Sequence, residues 1–132
     1  MTEVVIPEEL YYTNTHEWIR IENDLGTIGI TDYAQKELSD IVYIELPENG
    51  KTFNRGDVLG TLEAVKAVSD FYAPVSGVVI EVNDNLKTQP DLVNKMPYGD
   101  GWLVKIKLTK PDELSMLLKA SQYKEIITGP GE

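Results

Sequence analysis

The chain has 132 residues, a formal net charge of −10 and no cysteine. This length suits one domain with a single core. The acidic balance argues against nucleic-acid binding, because phosphate contacts need a clustered basic surface. Without cysteine the chain has no disulfide, thiolate metal ligand or thiol nucleophile. No apolar run reaches the about 20 residues that span a bilayer, and the N-terminus lacks a signal-peptide pattern. We therefore expect no membrane contact and a cytoplasmic location (the mitochondrial matrix if a targeting peptide was removed).

Alternation of apolar and polar residues predicts that most of the chain is β. The predicted strands, in chain order, are 17–22, 26–30, 41–46, 58–65, 68–73, 78–82 and 102–108. In the last of these, Trp102 and every second residue after it share one face. Short strands at this spacing favour a sandwich or a barrel.

Two segments read as helical. Thr31 can cap a short helix that ends at Leu38. The C-terminal segment 111–127 is expected to begin with a helix that Pro111 opens, in which Leu114, Leu117 and Leu118 fall on one face. A second short helix is expected from Ser121 to Ile127. The last four residues are expected to be loose. Because no Gly-, Ser- or Pro-rich linker divides the chain, we expect a single domain over 1–132.

Lys66 stands out because it is the only basic residue between Arg55 and Lys87, and strand-forming runs lie on both sides of it. An amine in that position is costly to bury and easy to present at a turn. An ordinary surface lysine on a β-turn also fits this spacing. The spacing alone therefore leaves both interpretations open.

The glycines around Lys66 suggest a hairpin. The midpoint of Gly56 and Gly77 falls on the peptide bond that follows Lys66, which predicts a hairpin over 56–77 with the lysine at its tip. A type I turn is expected, because Lys-Ala is not a pair that favours positive φ. In this register Glu63 lies opposite Asp70.

The chain contains few reactive side chains. His16 is the single histidine, and neither a P-loop nor a Gly-x-Gly-x-x-Gly run occurs. The sequence shows no strong nucleophile–base pair and no metal-ligand motif, although a paired role for His16 and Glu17 stays open. We therefore predict no catalytic residues and no metal site, which favours a carrier or binding module over an enzyme.

Several motifs extend across residues 11–127. They are Thr-His-Glu-Trp at 15–18, Gly29–Gln35, Glu45–Pro47, Glu63–Ala67 with Ser69 and Asp70, Tyr72–Gly77, Leu92–Asn94 and Pro97–Leu103. This set resembles the glycine cleavage system H protein family. General lipoyl domains share only the central hairpin. One departure is Ala64, where many members of the family have serine.

The resemblance implies a mainly β fold, a lipoyl-type barrel–sandwich hybrid of two small antiparallel sheets with a short helix near residues 31–38 and C-terminal helices. It implies that Lys66 forms an amide with lipoic acid, as an N6-lipoyl-lysine. It also implies that Thr15, His16, Glu17 and Asp70 are candidates to line a cleft for this arm. Glu63 would flank the hairpin.

The resemblance also implies a role and partners. The carrier would move the aminomethyl group of glycine from glycine decarboxylase (P protein) to an aminomethyltransferase (T protein). Its dihydrolipoyl arm would then be reoxidised by dihydrolipoamide dehydrogenase (L protein). A lipoate ligase or lipoyltransferase would attach the arm.

Three other functions remain open. An H-like protein that relays lipoyl groups to other enzymes would share every motif. A biotin carrier domain is less consistent with the sequence, because those domains usually place methionine on both sides of the lysine, where this chain has Val65 and Ala67. A purely structural interaction domain would leave Lys66 unmodified.

Overall fold

Two antiparallel sheets organise the chain. The computed structural model describes residues 4–128. Its strands are β1 (Tyr11–Tyr12), β2 (Glu17–Glu22), β3 (Leu25–Ile30), β4 (Ile41–Glu45), β5 (Thr52–Phe53), β6 (Val58–Ala64), β7 (Val68–Tyr72), β8 (Gly77–Val82) and β9 (Val104–Leu108). One sheet has the order β1-β2-β3-β9-β8-β5 and the other the order β4-β6-β7. The predicted mainly β fold of two antiparallel sheets is confirmed, and no closed barrel forms among the described residues.

Short helical segments connect the strands. They are α1 (Asp32–Leu38), α2 (Leu92–Lys95), α3 (Ala120–Thr128) and two 3₁₀ turns, Asp84–Lys87 and Pro111–Met116. Thr31 caps α1 as predicted, because its side-chain oxygen accepts a hydrogen bond from the Ala34 N–H. The segments at 84–87 and 92–95 have no counterpart in the sequence prediction, since each spans only one turn and shows no periodicity.

The C-terminal segment differs from its prediction. Its first part is a 3₁₀ turn that ends at Met116, so Leu117 and Leu118 do not continue a helix. Leu118 instead exchanges two backbone hydrogen bonds of 2.8 Å with Tyr12. This long-range pairing outweighs the local helical pattern. The predicted second helix is confirmed as α3, and the prediction of a loose tail concerns residues outside the described range.

A tight turn joins β2 to β3. Asn23 adopts a positive φ of 59°, which asparagine tolerates better than most residues. The turn brings Trp18 opposite Gly29 in the register of the two strands. A Cβ atom at Gly29 would lie 2.6 Å from the Trp18 ring, so glycine is needed there for close approach.

The core has two parts. The larger cluster lies between the sheets and includes Ile19, Ile28, Leu62, Phe71 and Ile106. The smaller cluster, which α3 helps to cover, comprises Leu10, Tyr12, Trp18 and Tyr123. Full burial of each large side chain contributes about 1.5–3 kcal/mol of hydrophobic free energy. The smaller cluster therefore fixes α3 against β1 and β2.

The hairpin of β6 and β7 is shorter than predicted and has a different register. Asp70 lies opposite Thr61, and Glu63 lies opposite Val68 rather than Asp70. The glycine symmetry misled the prediction because Gly77 already belongs to β8 of the other sheet. The Gly56 N–H instead donates to the Ala73 carbonyl oxygen.

Within residues 4–128, no helix has the length and apolar character needed to cross a membrane.

Candidate functional site: a cleft beside the lysine hairpin

The turn between β6 and β7 presents Lys66 to solvent. The Ala64 N–H donates to the Ala67 carbonyl oxygen at 2.7 Å, which leaves Val65 and Lys66 as the connecting residues. Neither of these two residues has a positive φ. The Val65 N–H donates to the Asp40 carbonyl oxygen at 3.1 Å, so the tip is tied to the chain that follows α1.

The tip is also unusually apolar for an exposed turn. Val65 and Val68 are each 67% exposed. Apolar side chains of this size normally gain free energy from burial. Their position beside an exposed amine suits a surface that another protein covers.

A cleft of about 230 Å³ lies between α1, the start of β2 and the β6–β7 hairpin. Its lining residues come from these three elements, from the loop before β2 and, through Ile30, from the end of β3. They are Thr15, His16, Glu17, Ile30, Tyr33, Ala34, Glu37, Leu38, Leu62, Ser69 and Asp70. The structure thus brings together four of the predicted site residues, Thr15, His16, Glu17 and Asp70, whereas Glu63 and Lys66 lie outside the lining.

Glu17 is the buried acid of the cleft, with only 1% of its surface exposed. One carboxylate oxygen accepts hydrogen bonds of 2.5 Å from the hydroxyls of Thr13 and Thr15. The other accepts the Tyr72 N–H at 3.0 Å. Burial raises the pKa of Glu17, although these hydrogen bonds act to lower it. Glu17 therefore ties the loop before β2 to the end of β7, which belongs to the other sheet.

His16 forms part of the cleft wall in a backbone conformation that few residues adopt. Its φ is 75°, in the left-handed region where histidine is more common than most non-glycine residues. The ring packs against Tyr33 at a centroid distance of 4.9 Å, and Nδ1 lies 2.8 Å from the Tyr123 hydroxyl. Burial lowers the pKa of His16, and the nearby Glu37 carboxylate acts to raise it.

Asp70 is an exposed carboxylate in the cleft lining. It accepts a hydrogen bond of 3.2 Å from the Thr61 hydroxyl on the neighbouring strand. Asp70, the middle residue of β7, follows Lys66 by four residues, so their Cα atoms are at most about 13 Å apart. The lysine at the tip of the turn and the Asp70 carboxylate in the cleft lining are thus separated by only a short stretch of extended chain.

Sequence reasoning missed the contribution of α1 to the cleft. Tyr33 and Glu37 line it from successive turns of this helix. Their i, i+4 spacing within the predicted helix was a usable signal, because such residues share a face. Within the described range of 4–128, no cluster of His, Asp and Glu is arranged to hold a metal ion.

Comparisons with known proteins agree on one family. The sequence model of the glycine cleavage H-protein family matches residues 10–129. The glycine cleavage system H protein of Methylacidiphilum infernorum is 55% identical over 122 residues, covering 92% of this chain and 95% of the relative. That of Carboxydothermus hydrogenoformans is 48% identical over 128 residues, with coverages of 97% and 98%. The crystal structure of a glycine cleavage system H protein from Mycobacterium marinum superposes with a TM-score of 0.87 at 37% identity, covering 94% of this chain and all of the other.

Proposed function

Since the chain belongs to the glycine cleavage H-protein family, we propose that it carries lipoic acid in amide linkage on Lys66. The chain is a carrier component of the glycine cleavage system rather than a catalyst. The bound dithiolane would supply the redox and group-carrying chemistry that a chain without cysteine lacks. We further propose that residues 1–132 form a single lipoyl-carrier domain, with the hairpin presenting the lysine and the C-terminal segment covering the smaller core.

The observation that carries the proposal is an exposed lysine in the β6–β7 turn, close to a cleft that β7 helps to line. A lysine side chain with an eight-carbon acyl group contains about a dozen bonds. Each bond advances an extended zigzag chain by roughly 1.25 Å, so the arm spans roughly 15 Å. The separation of at most about 13 Å between Lys66 and Asp70 lies within this reach. An arm on Lys66 can therefore extend into a partner or fold back toward the cleft.

The cleft residues suit a cationic aminomethyl group. Asp70 offers an exposed carboxylate, and the hydroxyl of Thr15, which donates to Glu17, keeps a lone pair that can accept from a cation. Glu17 places a second carboxylate deeper in the cleft, with two positions taken on one oxygen and one on the other. A charge-assisted contact in this partly dry space would contribute about 1.5–3 kcal/mol. We propose that these residues, with His16 in the wall, hold the loaded arm away from water.

The partners follow from this role. We propose that the arm meets glycine decarboxylase, the aminomethyltransferase and dihydrolipoamide dehydrogenase in turn, and that a lipoate ligase or lipoyltransferase attaches it. Acylation of Lys66 removes one positive charge from a chain whose net charge is already −10. The acidic surface would then raise association rates with basic partner surfaces.

Intact mass spectrometry tests the attachment site. The protein, produced with a lipoate ligase and lipoate, should gain one lipoyl group, and Lys66→Arg should gain none. Lys51→Arg is a matched control, because Lys51 is also an exposed lysine and its loss should leave the mass gain intact. A lipoyl group on the Lys66→Arg protein would refute the assignment, and an unmodified chain from a lipoylating host would favour a structural interaction domain.

Reconstituted glycine decarboxylation separates the two carrier roles. A glycine-cleavage carrier supports sustained turnover with the other three components of the system. An H-like protein that only relays lipoyl groups would accept lipoate at Lys66 and support no decarboxylation. A biotinyl group on Lys66 would instead identify a biotin carrier.

A further inference from the structure

A buried hydrogen-bonded chain links the cleft to the C-terminal helix. The Tyr123 hydroxyl of α3 lies 2.8 Å from His16 Nδ1 and 2.7 Å from Thr31 Oγ1. Tyr123 and Thr31 are both fully buried. Thr31 Oγ1 also accepts the Ala34 N–H at 3.2 Å, as the cap of α1. Three elements of the fold therefore meet at one tyrosine oxygen.

The direction of these hydrogen bonds can be deduced by counting protons. Among the described residues, Thr31 Oγ1 has two polar partners, the Ala34 N–H and the Tyr123 hydroxyl. The first is a donor, so the Thr31 proton has an acceptor only if it points to the Tyr123 oxygen. The Tyr123 proton is then directed at His16 Nδ1, which must be unprotonated to accept it. In the reverse direction the buried Thr31 proton has no acceptor, and such donors are rare in folded proteins.

We propose that the Thr31–Tyr123 hydroxyl chain holds His16 in the neutral form that carries its proton on Nε2, which makes Tyr123 a positioning residue for the cleft wall. A protonated His16 would have to donate from Nδ1 to Tyr123. The hydroxyl chain would then reverse and leave the Thr31 proton without a partner. The arrangement thus opposes a positive charge on the imidazole.

The charge state of His16 matters because acidic side chains line the cleft with it. The titratable side chains that face it or line the cleft with it are Tyr33 and Glu37 of α1, Glu17 of β2, Asp70 of β7 and Tyr123 of α3. The acids among them would favour an imidazolium, whereas burial lowers the pKa of His16. A neutral ring keeps the cleft free of a fixed cation. This consequence, though not the tautomer itself, rests on the proposed function, in which the cleft receives a cationic arm.

Nitrogen NMR of the imidazole tests the proposal directly, because His16 is the single histidine of the chain. The protein is produced without a histidine tag, labelled with ¹⁵N-histidine and left unlipoylated, so that the result is independent of the attachment site. At a pH well above the pKa of His16, we expect Nδ1 to be unprotonated and Nε2 to carry the proton. A ring protonated at Nδ1 would overturn the proposal.

A pair of tyrosine variants then isolates the hydroxyl chain. Tyr123→Phe removes the donor to Nδ1 and should raise the pKa of His16 by about 0.5–1 unit, the equivalent of one net hydrogen bond, with ¹⁵N shifts that indicate mixed tautomers. Tyr12→Phe is the matched control, because Tyr12 stacks on Tyr123 at 4.9 Å while its own hydroxyl donates to the Pro7 carbonyl oxygen. It should change neither quantity.

Two outcomes of this comparison would contradict the proposal. The first is a Tyr123→Phe protein whose His16 pKa and ring shifts equal those of the wild type. The second is a Tyr12→Phe protein that shifts as much as Tyr123→Phe, since packing rather than the hydroxyl would then be responsible. If Tyr123→Phe does not fold, the wild-type tautomer alone decides the question.

Discussion

Replacement of Glu17 by alanine should destabilise the protein, because this side chain joins the two sheets. The change leaves the Tyr72 N–H without its acceptor, at a cost of about 1–3 kcal/mol. The space left by the side chain adds about 1 kcal/mol. Removal of a buried carboxylate offsets part of this loss, because burial of the charge is itself unfavourable. We expect a net loss of about 2 kcal/mol in the free energy of unfolding.

Glu17→Gln separates the hydrogen bonds from the charge. The amide oxygen can accept the Tyr72 N–H, and the amide nitrogen can donate to the hydroxyls of Thr13 and Thr15, which are free to rotate. This variant should therefore lose less than about 1 kcal/mol. Glu22→Ala is the matched control, since Glu22 is an exposed acid at the other end of β2 and should change stability by less than about 0.5 kcal/mol.

Urea unfolding monitored by tryptophan fluorescence measures the free energy of unfolding of all three variants, because Trp18 is fully buried in the smaller core. A Glu17→Ala protein as stable as Glu22→Ala would refute the role of Glu17 as a tie between the sheets. The lipoylated and aminomethyl-loaded variants then report on the cleft. Glu17→Ala should lose its aminomethyl group to water, as formaldehyde and ammonia, faster than wild type, and an equal rate would exclude Glu17 from protecting the arm.

Further predictions concern pH and packing. Burial raises the pKa of Glu17. The stability of wild type relative to Glu17→Gln should therefore be greatest below the ordinary glutamate pKa and fall as the pH rises through the raised value. If urea unfolding shows no such trend across this pH range, the shift in pKa is contradicted. Gly29→Ala should lower the free energy of unfolding by about 1–3 kcal/mol, because the added methyl group would overlap the buried Trp18 ring. Gly99→Ala is the control: its methyl group meets nothing nearer than 3.5 Å, so the same assay should show almost no change. Asn94→Ala should lower the free energy of unfolding by about 1–3 kcal/mol, since the side chain accepts from the Ile41 N–H and donates to the Ser39 carbonyl oxygen. An unchanged midpoint in thermal or urea unfolding would show that water takes over these two hydrogen bonds.

The sequence alone determined the features that depend on neighbouring residues. The alternation at 17–22 became β2, and Thr31 capped α1 through an N–H three residues away. Spacing singled out Lys66 but left its role open, and the resemblance to the H-protein family supplied that role and four of the cleft residues, which periodicity could not have selected. Helix and strand periods are short, so a few residues suffice to reveal them.

Only the tertiary structure decided the contacts between distant parts of the chain. It moved Asp70 opposite Thr61, placed Gly77 in the other sheet and ended the C-terminal helical pattern at a pairing of Leu118 with Tyr12. It also brought Tyr123 to His16, 107 residues away in sequence. Such contacts form where burial and hydrogen bonding outweigh local preference. That balance depends on which surfaces the folded chain brings together. It therefore cannot be deduced from a short stretch of sequence.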